Sequence, residues 1–191
     1  MKHIWLYLLL TCCSLILSPS GIAKNRVEPV SNMANLLEAA QKINATGTLS
    51  IDHNHFVYLA VSDEFITKLY PILNQQLKPE EKPCLEPDNN EHGAHISMFY
   101  PNEIDEVQLN TLPINATYNF HVIGISKVDA RHHSKHVVWF VIQVQAPELQ
   151  ALVNQISADK LIKVPFHISI ARERFNAQGN CYIQHRSSTV E

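Results

Sequence analysis

The chain has 191 residues, 46% of them hydrophobic and 17% charged, a composition that excludes a disordered or fibrous protein and fits one compact globular unit. Its formal charge of −3, from 15 basic and 18 acidic residues, argues against a protein that coats duplex DNA. Eleven histidines are the unusual feature.

The first element is not part of a fold. Lys2 and His3 precede an apolar run over residues 4–17, and Gly21 and Ala23 place small residues at −3 and −1 of a cleavage site. That order reads as a secretory signal peptide over residues 1–23, because the run is shorter than the roughly 20 apolar residues that a membrane span needs. An uncleaved anchor is the alternative. Lipidation at Cys12 is disfavoured, since Thr11 is a poor residue before a lipobox cysteine. The expected mature chain, 24–191, is then secreted or periplasmic, with no stable membrane insertion once the signal is removed. It keeps only Cys84 and Cys181. Two cysteines in an exported domain can pair into a disulfide or remain separate buried thiols.

Residues 24–48 read as an N-terminal helical extension. Met33, Leu36, Leu37, Ala40 and Ile43 form one apolar stripe over 31–43, with Ser31 as a candidate cap. Residues 48–61 read as extended, with His53 and His55 alternating on a strand edge. Ser62 and Asp63 then offer a cap to a helix carrying Phe65, Ile66, Leu69, Tyr70, Leu73 and Leu77, which Pro71 should kink or divide. A polar, acidic loop is expected over 79–92 and a short strand over 95–100. Residues 117–128 and 137–144 read as a strand pair with a polar, exposed connection, 129–136. Pro147 suits the first turn of a helix that turns Leu149, Leu152, Val153 and Ile156 inward. Strands over 164–171 and 181–184 close the chain.

Strand, helix, loop and a short His-bearing strand thus occur twice. The repeat points to a two-lobed α+β domain over 49–191, with largely antiparallel sheets and a groove between the lobes.

The repeat carries its chemistry in two tetrads, His95-Ile96-Ser97-Met98 and His167-Ile168-Ser169-Ile170. In a strand, residues i and i+2 share a face. Ile96, Met98, Ile168 and Ile170 should therefore enter a core, while His95 with Ser97, and His167 with Ser169, open onto a groove. Given this composition, roughly 0.24 such tetrads are expected by chance, so two is about a 2% event. Two imidazoles can serve as acid and base, and two hydroxyls can bind the non-bridging oxygens of a phosphodiester. Phe99 is a candidate to line the groove and stack on a base, or equally a core residue, whereas alternation sends Tyr100 to the core. Lys163 and Arg172 are candidate substrate-binding cations. Residues 158–187 carry a local +3 and residues 80–106 a local −7, so a basic end can attract phosphate while an acidic loop limits what approaches. A solvated charged surface is the simpler account of both runs.

With these tetrads the sequence resembles the 2H phosphoesterase superfamily, which includes 2′-5′ RNA ligase-like proteins and cyclic nucleotide phosphodiesterases. Its signature is a pair of His-x-Thr/Ser-x motifs, and serine stands in the hydroxyl position of both here. The resemblance implies a bilobal, pseudo-symmetric α+β fold, two largely antiparallel sheets around a central groove with helices outside. It also implies a phosphodiesterase with no metal or other cofactor, acting on 2′-linked or 2′,3′-cyclic phosphates of nucleotides or short RNA ends. The rival expectation is an exported metal-binding protein using His53 and His55, or His132, His133 and His136. A third is a noncatalytic fold of the same kind that binds nucleotides.

Overall fold

A computed structural model describes residues 26–132, 135–157, 165–176 and 178–181. The expected signal segment, Lys163 and the expected strand beyond Cys181 lie outside these residues. Among the described residues no helix is long and apolar enough to cross a membrane.

Strands β1 (Arg26–Pro29), β2 (Thr46–Ile51), β3 (Val57–Val61), β4 (Leu85–Pro87), β5 (His95–Phe99), β6 (Thr117–Asn119), β7 (His121–His132), β8 (Lys135–Gln145) and β9 (His167–Phe175) form one antiparallel sheet. The spatial order is β1-β7-β8-β9-β5-β3-β2-β6, with β4 added alongside β9. Its centre is thin, because β5 and β9 meet at the single pair Ile96↔Ile168. On either side of that pair the order mirrors itself: β5, β3, β2, β6 on one side and β9, β8, β7, β1 on the other. The two expected sheets are thus two halves joined at one residue pair, and each half is built as strand, strand, helix, His-bearing strand.

Helices α1 (Ala34–Gln41), α2 (Glu64–Thr67), α3 (Leu69–Gln76), α4 (Glu106–Asn110) and α5 (Pro147–Ile156) complete the fold. Leu36 and Ala40 of α1, Phe65 of α2, Leu69 and Leu73 of α3, and Leu149 and Val153 of α5 share one buried cluster with Ile96, Phe140, Ile142 and Ile168. Burying such side chains supplies most of the driving force for this layer, at about 1.5–3 kcal/mol for each large one. Residues 26–48 contribute β1, α1 and the start of β2 to this same sheet and core.

The helix after Ser62 is divided, as Pro71 requires: α2 ends at Thr67 and α3 begins at Leu69. A proline has no N–H to donate, and its ring clashes with the carbonyl four residues back, at position 67. The cap of α1 is Met33 rather than Ser31.

Four expectations are corrected. Residues 117–128 are two strands, not one. They separate at Phe120, whose side chain is buried and whose amide donates to the Ala45 carbonyl. β6 pairs with β2 in one half, whereas β7 pairs with β8 in the other. The connection 129–136 is largely strand, because the β7–β8 hairpin pairs as far as His132↔Lys135. His53 and His55 sit in the turn between β2 and β3, where His55 takes a left-handed φ of 65° and the Asp52 amide donates to the Phe56 carbonyl. Finally, the acidic stretch 79–92 contains β4, which pairs with β9 through Leu85↔Glu173, Glu86↔Arg172 and Pro87↔Ala171.

Candidate functional site

The site grows from the two central strands. Ile96 and Ile168 are fully buried on the helix side, as are Met98 and Ile170 but for a trace of exposure at Met98. His95, Ser97, His167 and Ser169 alternate with them and stay half-buried on the opposite face. The antiparallel pair Ile96↔Ile168 sets His95 across from Ser169 and Ser97 across from His167. Each imidazole therefore neighbours its own serine along the strand and the other motif's serine across it. The two imidazoles occupy diagonal corners, and diagonal neighbours on adjacent strands lie roughly 7–8 Å apart. One phosphoryl group is of the size that such a gap admits.

Both rings are held the same way. His95 Nδ1 lies 2.9 Å from the Gly93 carbonyl oxygen, and His167 Nδ1 lies 2.9 Å from the Pro165 carbonyl oxygen. A carbonyl only accepts, so each Nδ1 carries the hydrogen and each neutral ring keeps its lone pair on Nε2. Burial pushes the proton affinity of His95 below the usual histidine range, opposed by the Gly93 carbonyl and Asp88, with His92 adding to the fall. His167 is lowered too, by burial first, against the Pro165 carbonyl and Asp88, and further by His95. Among the described residues, nothing hydrogen-bonds the Ser97 or Ser169 hydroxyl.

Gly93 makes the first of these anchors available. Its φ is +64°, and a Cβ there would stand 2.4 Å from Asp63 Oδ1. That carboxylate accepts the Ala94 amide at 2.8 Å, fixing the turn that delivers His95. Asp63 thus serves the site's entry turn as well as standing at the start of α2.

A β-bulge then follows each motif at the same place. β3 pairs Val57↔Phe99 and Tyr58↔Ser97, leaving Met98 as the extra residue, while β8 pairs Phe140↔Ala171 and Val141↔Ser169, leaving Ile170. An inserted residue reverses the alternation beyond it. Of the two places open to Phe99, the structure takes the core, where it is fully buried and lines no groove. The expectation for Tyr100 is corrected: it is 58% exposed and stacks on Phe56 at 5.4 Å between ring centres. Phe56 also meets the His95 ring edge-on at 5.6 Å, and Tyr58 does so at 5.7 Å. Phe56, Tyr58 and Tyr100 therefore form an aromatic wall on the His95 side.

On the His167 side the equivalent position after the bulge is Arg172. It is tied to two carboxylates, Nε to Glu86 Oε1 and Nη1 to Asp88 Oδ1, each at 2.9 Å, and Arg174 reaches the same Glu86 oxygen at 3.0 Å. Arg172 is therefore held as a strut beside the groove. Asp88 is only 5% exposed; burial raises its carboxyl, while Arg172 and then His95 pull it back. Its charge acts on both motif histidines.

A disulfide joins Cys84 to Cys181. It tethers the start of β4, and so the approach to Glu86 and Asp88, to the segment after β9.

Sequence reasoning missed Asp88, Glu86, Gly93, Phe56, Tyr58 and His92. The signal for β4 was the alternation Leu85-Glu86-Pro87-Asp88, masked by its acidic surroundings. The signal for Tyr100 was its standing to His95 as Arg172 stands to His167.

A mirrored α+β sheet with a His-x-Ser-x strand on each side of its axis defines a two-histidine phosphoesterase architecture. The family model described as "Swiss Army Knife, 2H phosphoesterase domain" matches residues 57–176, from β3 to the end of β9, and the chain belongs to that family. No curated protein and no solved structure matches the chain. Membership supports phosphodiesterase-type activity in general, on small phosphodiester or nucleotide substrates.

Proposed function

We propose that the protein is a metal-independent phosphodiesterase that opens 2′-linked or 2′,3′-cyclic phosphates of nucleotides or short RNA ends, with His95 and His167 as acid and base. The observation carrying this reading is the matched pair of imidazoles, each with Nδ1 held by a carbonyl at 2.9 Å and Nε2 left as the reactive nitrogen. One neutral Nε2 takes a proton from water as the water oxygen attacks phosphorus. The P–O bond opposite breaks, and the other imidazole, protonated, gives its Nε2 proton to the departing oxygen. A cyclic diester plus water becomes a monoester with a free hydroxyl, and the two rings have exchanged protonation states.

In this scheme Ser97 and Ser169, uncommitted to other described residues, donate to the non-bridging oxygens where charge accumulates. The aromatic wall of Phe56, Tyr58 and Tyr100 suits a base or another flat group attached to the phosphate. Export through residues 1–23 to a secreted or periplasmic location belongs to the same proposal, and the Cys84–Cys181 disulfide fits an oxidising compartment.

The test is hydrolysis of a panel of 2′,3′-cyclic nucleotides, 2′-5′ dinucleotides and non-nucleotide phosphodiesters in excess EDTA. Turnover of 2′-linked or cyclic substrates in chelator supports the reading. Nucleotide binding without turnover of any member overturns it in favour of a noncatalytic binding fold.

A further inference from the structure

We infer that Asp52, Glu91 and His92 form a binding site for a divalent first-row transition ion, with zinc the best match, at the rim of the groove beside His95, whose ring meets that of His92 edge-on at 5.8 Å between centres. Two turns distant in sequence bring these donors together: Asp52 opens the turn between β2 and β3, and Glu91 and His92 immediately precede Gly93. The donor atoms of all three lie within 4.8 Å of one another.

The geometry is that of donors arranged about a space. His92 Nε2 stands 3.6 Å from Asp52 Oδ2 and 3.4 Å from Glu91 Oε1. Hydrogen bonds between such atoms fall at about 2.7–3.2 Å, so neither contact is one. A tetrahedral zinc with bonds of about 2.0–2.2 Å sets its donors about 3.3–3.6 Å apart, which these separations meet.

The donors are also fixed beforehand. Asp52 uses Oδ1 for both of its structural bonds, accepting the Asn54 amide at 2.8 Å and the Phe56 amide at 2.9 Å. Its other oxygen, Oδ2, makes no hydrogen bond to a described residue and stands on the partly buried side chain 3.6 Å from His92 Nε2. That oxygen is aimed at His92. The His92 amide is held by Asn90 Oδ1 at 2.9 Å, and its ring packs against Tyr58 and Phe56 at 4.9 and 5.2 Å between centres. Glu91 is the exposed, adjustable member.

Donor chemistry selects the ion class. One imidazole nitrogen with two carboxylate oxygens and room for water is a zinc-type set, whereas calcium takes six to eight oxygens and magnesium wants an octahedron of them. Two of the histidines singled out from the sequence are engaged otherwise, while His133 lies outside the described residues. His53 Nε2 is 3.0 Å from Asn54 Nδ2, and His136 Nε2 is 3.1 Å from Asp129 Oδ1. Among the described residues, Asp52, Glu91 and His92 are the group whose donors converge.

The inference stands apart from the catalytic reading, and its test reads metal directly. The untagged mature protein is stripped with chelator, dialysed, and titrated with zinc against a fluorescent indicator and with cobalt by its visible absorption. One equivalent is expected to bind, with the intense band of tetrahedral cobalt. Glu91→Ala, at an exposed position, and His92→Ala should each weaken binding about tenfold or more, while His53→Ala and His136→Ala should not. Zinc binding weaker than about 100 μM, or equal binding by Glu91→Ala, His92→Ala and the wild type, overturns the inference.

Discussion

Removing the cross-link between Cys84 and Cys181 tests how the site's outer strand is held. The bridge closes a sequence separation of 97 residues. In the chain-entropy account, a loop of about 100 residues stabilises the folded state by about 4.7 kcal/mol at 25 °C. β4 is otherwise held by its three-residue pairing with β9, by Glu86 on Arg172 and Arg174, and by the Cys84 amide 3.4 Å from Glu173 Oε1. Cys84→Ser with Cys181→Ser should therefore lower stability by about 4–5 kcal/mol. With a urea dependence of about 2 kcal/mol per molar, the unfolding midpoint falls by about 2 M. The matching loss in Tm is about 10–18 °C for a domain of this size. Urea melts of residues 24–191, followed by fluorescence of Trp139, give the number directly, since Trp139 lies across from Arg172 in the β8–β9 ladder. Midpoints within about 0.5 M of each other would refute the reasoning, because the closed loop would then contribute almost nothing.

Three further outcomes follow from the site. Gly93→Ala meets both a left-handed φ and the Asp63 carboxylate; about 2–3 kcal/mol of stability should be lost in the same urea melts, and kcat should fall with it, while unchanged values would remove Gly93 from the anchoring of His95. Burial lowers both motif histidines, so the acid partner is protonated only at lower pH and kcat/KM should be bell-shaped with its maximum below about pH 6.5; a plateau through pH 8 would contradict this. The same shifts make the unfolded chain bind more protons as pH falls below about 6.5, so these two groups contribute stability above that value that is lost on acidification through their folded pKa values. Asp88→Asn removes the carboxylate charge that raises both imidazoles, and the alkaline limb of the rate profile should move to lower pH; an unmoved limb would show that Asp88 has no electrostatic role.

The central strands were legible because their signal is local. A period of two, apolar at Ile96, Met98, Ile168 and Ile170, and a hydroxyl two residues after each histidine, carry both the fold's symmetry and the face each side chain takes. Pro71 announced the divided helix by a rule that depends only on the backbone. The misplacements came from where tertiary context decides. The bulge at Met98 carries no residue signature, yet it settles Phe99 in the core and sends Tyr100, expected there, to the surface. The run 117–128 has unbroken strand character, and only partner choice separates β6 from β7. Asp88 sits in a stretch whose charge suggests solvent, but pairing of β4 with β9 and the Arg172 guanidinium bring it inside. A buried carboxylate is visible only once its cation is in place.

The most direct test of the two-histidine account is single-turnover hydrolysis of a 2′,3′-cyclic nucleotide by wild-type protein, His95→Ala, His167→Ala and the double variant, in EDTA. Each single variant should lose about 10²–10⁴-fold, the contribution of one positioned acid or base. The double variant should lose little more than the worse single, because the two rings act as one unit. Wild-type turnover in either single variant would contradict the account.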